Sequence, residues 1–289
     1  MIEPVLIDTL VRQGLAEDLC YGDRTTEALF PSPIPAVGEV IAKEALIVAG
    51  TEIFQAVFQR LDPHVLVESI SPPGTHLKKG ALIARVTGDA RVILKGERTA
   101  LNFLQHLSGI ATLTAEFVKQ TQGTSATIVD TRKTIPGYRV LEKEAVRLGG
   151  GGNHRFHLGD LILIKDNHIA LGRDIQAIVK MAHAAKSHTL KIELEVGSMA
   201  EVREAIKAGV EIIMLDNMSL EEIREAVRFI REKNPALLIE ASGGVSLNRV
   251  AAISACGVDL ISVGALTHSA RAVDISMKMK TIDERLNPK

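Results

Sequence analysis

Residues 190–216 read LKIELEVGSMAEVREAIKAGVEIIMLD, and this stretch decides the fold class. LKIELE and EIIMLD are apolar runs of strand length, too short for buried helices. Between them, Ser198 and Glu201 fit the S-x-x-E capping box that opens a helix. Val202, Ala205 and Ile206 keep one apolar face, and Gly209 stands where a C-terminal cap belongs. Strand, helix and strand in this order make a right-handed βαβ unit, which requires a parallel sheet.

The unit repeats outward. ATIVD, DLILIK, ALLIEAS and DLISVG are further apolar runs, and Ser219 with Glu222 opens a second capped helix. The six strand ends fall near residues 130, 165, 195, 216, 242 and 264, in steps of 35, 30, 21, 26 and 22 residues. Steps of this size, without repeating sequence, suit a barrel of βα units rather than a solenoid.

The N-terminal part has another rhythm. Residues 3–19 predict a helix with Leu6, Leu10 and Leu15 near one face. YGDRTTEALFPSPIPA is turn-rich, and its YGDRTT is either an ordinary turn or a site-facing one. GEVIAKEALIVAG, HVLVESI, ALIARVTG and ARVIL read as strands, covered by a helix over TEIFQAVFQRL. From Glu97 a helix apolar on almost every side is expected, buried in its own chain or in an oligomer interface. MKMK, at 277–280, reads as part of a helical tail.

Bulk properties exclude several classes. A formal net charge of -1 supplies no basic field for nucleic acid, and two Tyr with no Trp disfavour a base-stacking surface. No apolar run approaches the ~18–20 residues of a membrane span. Cys20 and Cys256 lack partners at metal or redox spacing, and the N-terminus has no signal-peptide layout. Together these predict a reduced, cytoplasmic setting.

In parallel α/β barrels, chemistry sits at the C-terminal strand ends. The residues after the apolar runs are Thr131, Arg132 and Lys133, then Lys165, Glu195, Asp216, Ser242-Gly243-Gly244 and Gly264-Ala265. The last two groups precede helices expected near Leu247 and Ser269, an arrangement that binds phosphate through backbone N–H groups. GGGGNHRFHLGD, 149–160, adds His154 and Arg155; it lies between two barrel strands, with no domain boundary expected inside it. Arg132, Lys133, Arg155 and Lys165 thus face Glu195 and Asp216, with His154 a fifth cation when protonated. A local excess of cations in a chain of net charge -1 predicts a polyanionic ligand. Arginine suits a planar carboxylate and lysine a phosphate, while the two carboxylates suit sugar hydroxyls or Mg²⁺ held through water. Zinc ligation by His154, His157, Asp166 and His168 is disfavoured, because no Cys or HExxH accompanies them. Residues 36–96 have the rhythm of a lipoyl- or biotinyl-carrier barrel, but no Lys stands at a hairpin tip in the expected setting.

Taken together, EDLCYGDRTT (17–26), GERTALNFLQHLSGIAT (96–112), the block from Asp130 to Ile169, IELEVGS (192–198), IIMLDNMS (212–219), IEASGGV (239–245) and ISVGALTHSA (261–270) resemble the quinolinate phosphoribosyltransferases. The resemblance runs nearly end to end. It implies an α/β chain with an N-terminal α/β open sandwich, here 1–109 with 270–289 packing back on it. An incomplete parallel α/β (TIM-like) barrel would follow at 110–269. It implies that quinolinate and phosphoribosyl pyrophosphate give nicotinate mononucleotide, pyrophosphate and CO₂, with Mg²⁺ as cofactor and no nucleic-acid or membrane partner. It also implies a homodimer or larger assembly in which Arg98 of GERTALN reaches into the neighbouring subunit's site. Carried over by motif, Thr131, Arg132, Lys133, His154, Arg155 and Lys165 bind substrate, and Lys133, Lys165, Glu195 and Asp216 act in catalysis. Glu195 and Asp216 would serve ribose and metal. Ser242, Gly243, Gly244, Val263, Gly264 and Ala265 would hold the 5′-phosphate, with His268 nearby. A phosphoribosyltransferase for a monocarboxylate such as nicotinate is the closest alternative; the number of arginines favours a dicarboxylate.

Overall fold

Pro4 stands in the first turn of α1 (Pro4–Asp18), where a missing N–H removes no helical hydrogen bond. Leu10, Val11 and Leu15 are its buried face, and Leu6 stays exposed. Asp23 then caps α2 (Arg24–Leu29) by accepting the Thr26 N–H at 3.0 Å, so the DRTT of YGDRTT starts a helix. β1 (Pro35–Ala42) alternates buried with less buried residues, as a half-buried strand must. β2 (Leu46–Ile47), α3 (Thr51–Leu61), β3 (Leu66–Ser69), β4 (His76–Leu77) and β5 (Leu82–Asp89) follow, and α3 buries Ile53, Phe54, Val57 and Phe58.

The expected strand ARVIL is instead the opening of α4 (Ala90–Gln120). Asp89 explains the switch. Its Oδ1 accepts the Arg91 N–H at 3.1 Å and its Oδ2 takes the Arg91 guanidinium, so a carboxylate satisfies donors of the first helical turn. After α4 come β6 (Thr127–Val129), α5 (Arg139–Leu148), β7 (Ile162–Ile164), α6 (Asp166–Ile169) and α7 (Ile175–Ala185). The chain continues through β8 (Ile192–Val196), α8 (Met199–Ala208), β9 (Ile212–Asp216), α9 (Leu220–Lys233) and β10 (Leu238–Ser242). It ends with α10 (Leu247–Ser254), β11 (Leu260–Ser262), α11 (Ala265–His268) and β12 (Ile275–Thr281). Ser198 and Ser219 cap α8 and α9 as the sequence predicts, with Gly209 left-handed at the end of α8. The helix expected near Ser269 is the short α11, which ends there. MKMK belongs to a strand: β12 pairs antiparallel with β1 from Ala36↔Thr281 to Ala42↔Ile275. Met and Lys favour helix, but the free backbone edge of β1 outweighs that preference.

The computed structural model describes residues 2–171 and 174–282; 283–289, part of the expected C-terminal segment, lie outside them. The chain forms two compact units, one of 1–113, 136–149 and 270–289 and another of 114–135 and 150–269. The expected break after residue 109 falls inside α4. Residues 136–149, expected with the barrel, group with the first unit, where Tyr138 stacks on Phe103 and Glu142 meets His106 at 2.9 Å. A change of unit therefore falls inside the glycine run, between Gly149 and Gly150.

The first unit holds the antiparallel sheet β12-β1-β5-β3 and the small pair β2-β4. The second holds a parallel sheet in the order β6-β11-β10-β9-β8-β7, an incomplete TIM-like barrel of six strands. A parallel bridge from Val129 to Gly152 continues past β6. Among the described residues, no helix is long and apolar enough to cross a membrane.

In the first unit Glu44 receives both Arg271 guanidinium nitrogens and the Asp274 N–H, the last at 2.7 Å. These bonds push its pKa from 4.5 down to about 2, the Arg271 bond contributing most. A depressed carboxyl pKa stabilises the fold above the unfolded value and loses that effect as pH falls through the folded one. Glu44→Gln should therefore lower the thermal midpoint near neutral pH, and the gap to the parent should close as pH falls from about 5 to about 2. A constant gap over that window would show that the ion pair contributes nothing.

Candidate active site

Strand register decides which side chains face the barrel interior. Leu163 pairs with Glu193, Glu195 with Met214, Met214 with Glu240, and Asp216 with Ser242. Paired residues in a sheet share a face, and the period of two extends that face along each strand. One inward surface thus carries apolar Leu163 and Met214 together with Glu193, Glu195, Asp216, Glu240 and Ser242.

A cavity of about 540 Å³ opens at the C-terminal strand ends of the second unit. Of the residues expected at the site, Thr131, Arg132, Lys133, His154, Arg155, Lys165, Glu195, Asp216, Ser242, Gly243 and Gly244 line it. Leu163, Met214, Asn217, Glu240 and Ser262 complete the lining. Gly264 lies beside it: a Cβ there would stand 3.0 Å from Lys133 Cδ and 3.1 Å from His268 Nε2. Ala265 opens α11. Val263 is a correction. It is fully buried, and its N–H is committed to the Val129 carbonyl at 2.9 Å, so it has no donor to offer a phosphate. Arg98 is exposed on α4, in the first unit.

Burial lowers the Arg155 pKa, and the Arg132 charge lowers it further. Arg132 Nε is buried without a hydrogen-bond acceptor. Two guanidiniums that repel each other, one with an unused donor, favour an anion between them. Lys165 Nζ sits 2.6 Å from Glu195 Oε2, and Asp216 accepts only the neutral Asn217 amide, at 2.6 Å. Thr267 Oγ1 donates to the Lys133 carbonyl at 2.7 Å, and Thr131 Oγ1 accepts the Lys133 N–H at 3.0 Å. The loop after β6 is therefore fixed at its backbone while the Lys133 side chain remains exposed.

Beneath the rim lies a buried polar cluster. Asp130 accepts the His154 N–H at 3.0 Å and Asn153 Nδ2 at 2.6 Å. His154 Nδ1 accepts the Arg155 N–H at 2.7 Å, while Nε2 lies 3.3 Å from Glu193 Oε2 and 3.4 Å from Glu240 Oε2. Both glutamates have no exposed surface. Sequence reasoning missed them; the signal was an acid in the middle of IELE and of LLIEAS. Burial works against a charged His154, but the two carboxylates prevail and push its pKa up to about 10; burial pushes the Glu193 carboxyl up. Nδ1 must keep a lone pair to receive the Arg155 amide. In that tautomer the ring hydrogen stands on Nε2, facing the two carboxylates.

This trio is the one His/acid group among the described residues close enough to hold a metal. It does not fit one. A metal at Nε2 needs a lone pair there, and an accepting Nδ1 leaves the ring hydrogen on Nε2. The other histidines do not gather around His154: the His157 N–H donates to Asp160, and His168 Nδ1 accepts the Lys165 N–H at 2.8 Å.

Family models for the quinolinate phosphoribosyl transferase N-terminal and C-terminal domains match residues 23–108 and 110–278. A probable carboxylating nicotinate-nucleotide pyrophosphorylase of Bacillus subtilis is 42% identical over 95% of this chain and 94% of its own length. The human carboxylating nicotinate-nucleotide pyrophosphorylase is 36% identical, over 96% and 93%. The crystal structure of NadC from Streptococcus pyogenes superposes with a TM-score of 0.92 at 41% identity, covering 98% of this chain and all of that one.

Gly243 has φ +85°, and a Cβ there would meet Asn217 Oδ1 at 2.2 Å and its backbone nitrogen at 2.7 Å. Gly243→Ala should lower stability by about 1–3 kcal/mol through strain and overpacking, read as a lower urea midpoint with unchanged slope. An unchanged midpoint would mean that the loop moves aside freely.

Proposed function

The chain belongs to the quinolinate phosphoribosyl transferase family, and from that premise we propose how its barrel rim performs the family reaction. The enzyme transfers phosphoribosyl from phosphoribosyl pyrophosphate to quinolinate with decarboxylation, giving nicotinate mononucleotide, pyrophosphate and CO₂ in NAD biosynthesis. The observation that carries the division of roles is the gathering of Arg132, Lys133, Arg155 and Lys165 around one cavity that also holds Glu195, Asp216 and the Ser242–Gly244 loop.

Arg132 and Arg155 clamp the two adjacent carboxylates of quinolinate. Their mutual repulsion falls when a dianion lies between them. The clamp aims the ring nitrogen at the anomeric carbon, and such orientation can lower a barrier by ~7–11 kcal/mol at best. Ser242, Gly243 and Gly244 take the 5′-phosphate through backbone N–H groups, with Gly264, Ala265 and His268 on the adjoining loop. Val263 is not included. Lys133 and Lys165 stabilise charge on departing pyrophosphate, and removing one such preorganised donor typically costs ~10²–10³ in rate. Glu195 and Asp216 accept hydrogen bonds from the ribose hydroxyls and offset positive charge on the ribose as its bond to pyrophosphate breaks and the bond to the ring nitrogen forms. After transfer, the ring nitrogen is cationic and supports the carbanion left as the adjacent carboxylate departs as CO₂; that carbon then takes a proton from water, and no separate electron sink is required.

Asp216 suits Mg²⁺ held through water, since among the described residues no cation pairs with it, whereas Glu195 is already bonded to Lys165. When bound, Mg²⁺ would neutralise charge on the pyrophosphate oxygens. The exposed Arg98 completes a neighbouring subunit's site in a homodimer or larger assembly. The two free cysteines fit a cytoplasmic setting.

The decisive measurement uses quinolinate labelled in the carboxyl next to the ring nitrogen, with phosphoribosyl pyrophosphate and Mg²⁺. Labelled CO₂ is expected; none from the purified enzyme would sink the reading, and release without phosphoribosyl pyrophosphate would reverse the order of steps. Arg155→Lys keeps the charge but loses the planar fork, so it should raise the KM for quinolinate more than that for phosphoribosyl pyrophosphate. For the shared site, mixing inactive Arg98→Ala with inactive Lys133→Ala chains should restore part of the activity. No recovery despite proven subunit exchange would place Arg98 in its own subunit's chemistry or in none.

A further inference from the structure

Two fully buried carboxylates at the floor of the cavity, Glu240 in its lining and Glu193 behind it, have no role in the reaction as assigned above. Glu193 and Glu240 lie on the inward faces of β8 and β10, two residues before Glu195 and Ser242. None of their four oxygens has a hydrogen bond of good geometry. Each instead faces the same atom, His154 Nε2, at 3.3 and 3.4 Å. Burying an acid this way is costly, and apolar residues of equal volume in such places are often neutral or stabilising. Stability therefore does not explain the pair.

The opposite edge of the ring does. His154 Nδ1 receives the backbone N–H of Arg155 at 2.7 Å, so the imidazole is a strut between the barrel floor and the loop that carries the guanidinium. Asp130 grips the same loop at the His154 N–H and the Asn153 side chain. The Arg155 side chain has a weaker tether, one bond at 3.4 Å to the Leu161 carbonyl. Its placement thus depends on the backbone beneath it, and that backbone depends on the orientation of the ring. A flipped ring would put carbon where each nitrogen stands, losing the Arg155 N–H acceptor and the Nε2 that faces the two acids.

We infer that Glu193 and Glu240 are positioning residues for diacid recognition, acting through the His154 ring on the backbone of Arg155. This rests on the assignment of Arg155 to the quinolinate carboxylates. Both ring nitrogens of His154 are engaged within the protein.

Glu240→Gln and Glu193→Gln keep shape and remove charge, and each leaves one acid to hold the ring, which protects folding; thermal melting checks this. Each should raise the KM for quinolinate roughly tenfold or more while leaving that for phosphoribosyl pyrophosphate within about twofold. The same substitutions in an Arg155→Lys background should have a much smaller effect, because the group they position is already impaired. Equal rises in both KM values, or full additivity with Arg155→Lys, would overturn the inference. A variant that folds but does not turn over is read by calorimetric titration with quinolinate, where unweakened binding also overturns it. If the parent enzyme itself releases no CO₂ and binds no quinolinate, the functional reading has failed instead.

Discussion

Arg132 and Arg155 repel each other, and much of the second unit can be understood as the frame that holds them together regardless. A flexible chain would let such charges separate. Here one sits in the loop that follows β6 and the other in the loop after the glycine run, and both loops are fixed by hydrogen bonds to their backbones. Under the roles proposed above, that repulsion is relieved when a dianion binds. This makes binding energy available from relief of like-charge contact as well as from new bonds.

The parallel barrel is suited to this because its inward faces have layers. The outermost layer is chemical: Lys165, Glu195, Asp216 and Ser242. Two residues down, Met214 and Leu163 give the cavity apolar walls, and Glu193 and Glu240 interrupt that apolar layer. The rim is cationic and the floor carries two buried acids. A ligand with two carboxylates on one edge meets attraction in one orientation and repulsion in the other.

Much of this was legible in the sequence because strand ends are where an apolar run gives way to polar residues. Lys165, Glu195, Asp216 and Ser242 each stand at such a break, and the structure puts them around one cavity. Glu193 and Glu240 were not legible, since an acid inside a strand normally signals the solvent side, and only the barrel's register turns it inward. Val263 was misread because proximity to a glycine loop does not free an N–H already used in the sheet. ARVIL and MKMK failed for related reasons. A five-residue apolar run does not reveal whether Asp89 will start a helix after it. Met and Lys do not reveal that an edge strand far away in sequence needs a partner.

That distant partner has a consequence for how the chain is made. β1 is synthesised near the beginning and β12 near the end, yet they lie side by side over seven paired residues. The first sheet therefore keeps an open edge while the ribosome produces both segments of the second unit, 114–135 and 150–269. Unpaired edges recruit other strands, and contacts this remote in sequence close slowly. Val37, Glu39 and Ile41 on β1 must stay out of foreign pairings until the last strand emerges. Glu39, which Lys280 meets at 2.6 Å in the finished sheet, is a charged residue on that waiting edge and a guard against such partners.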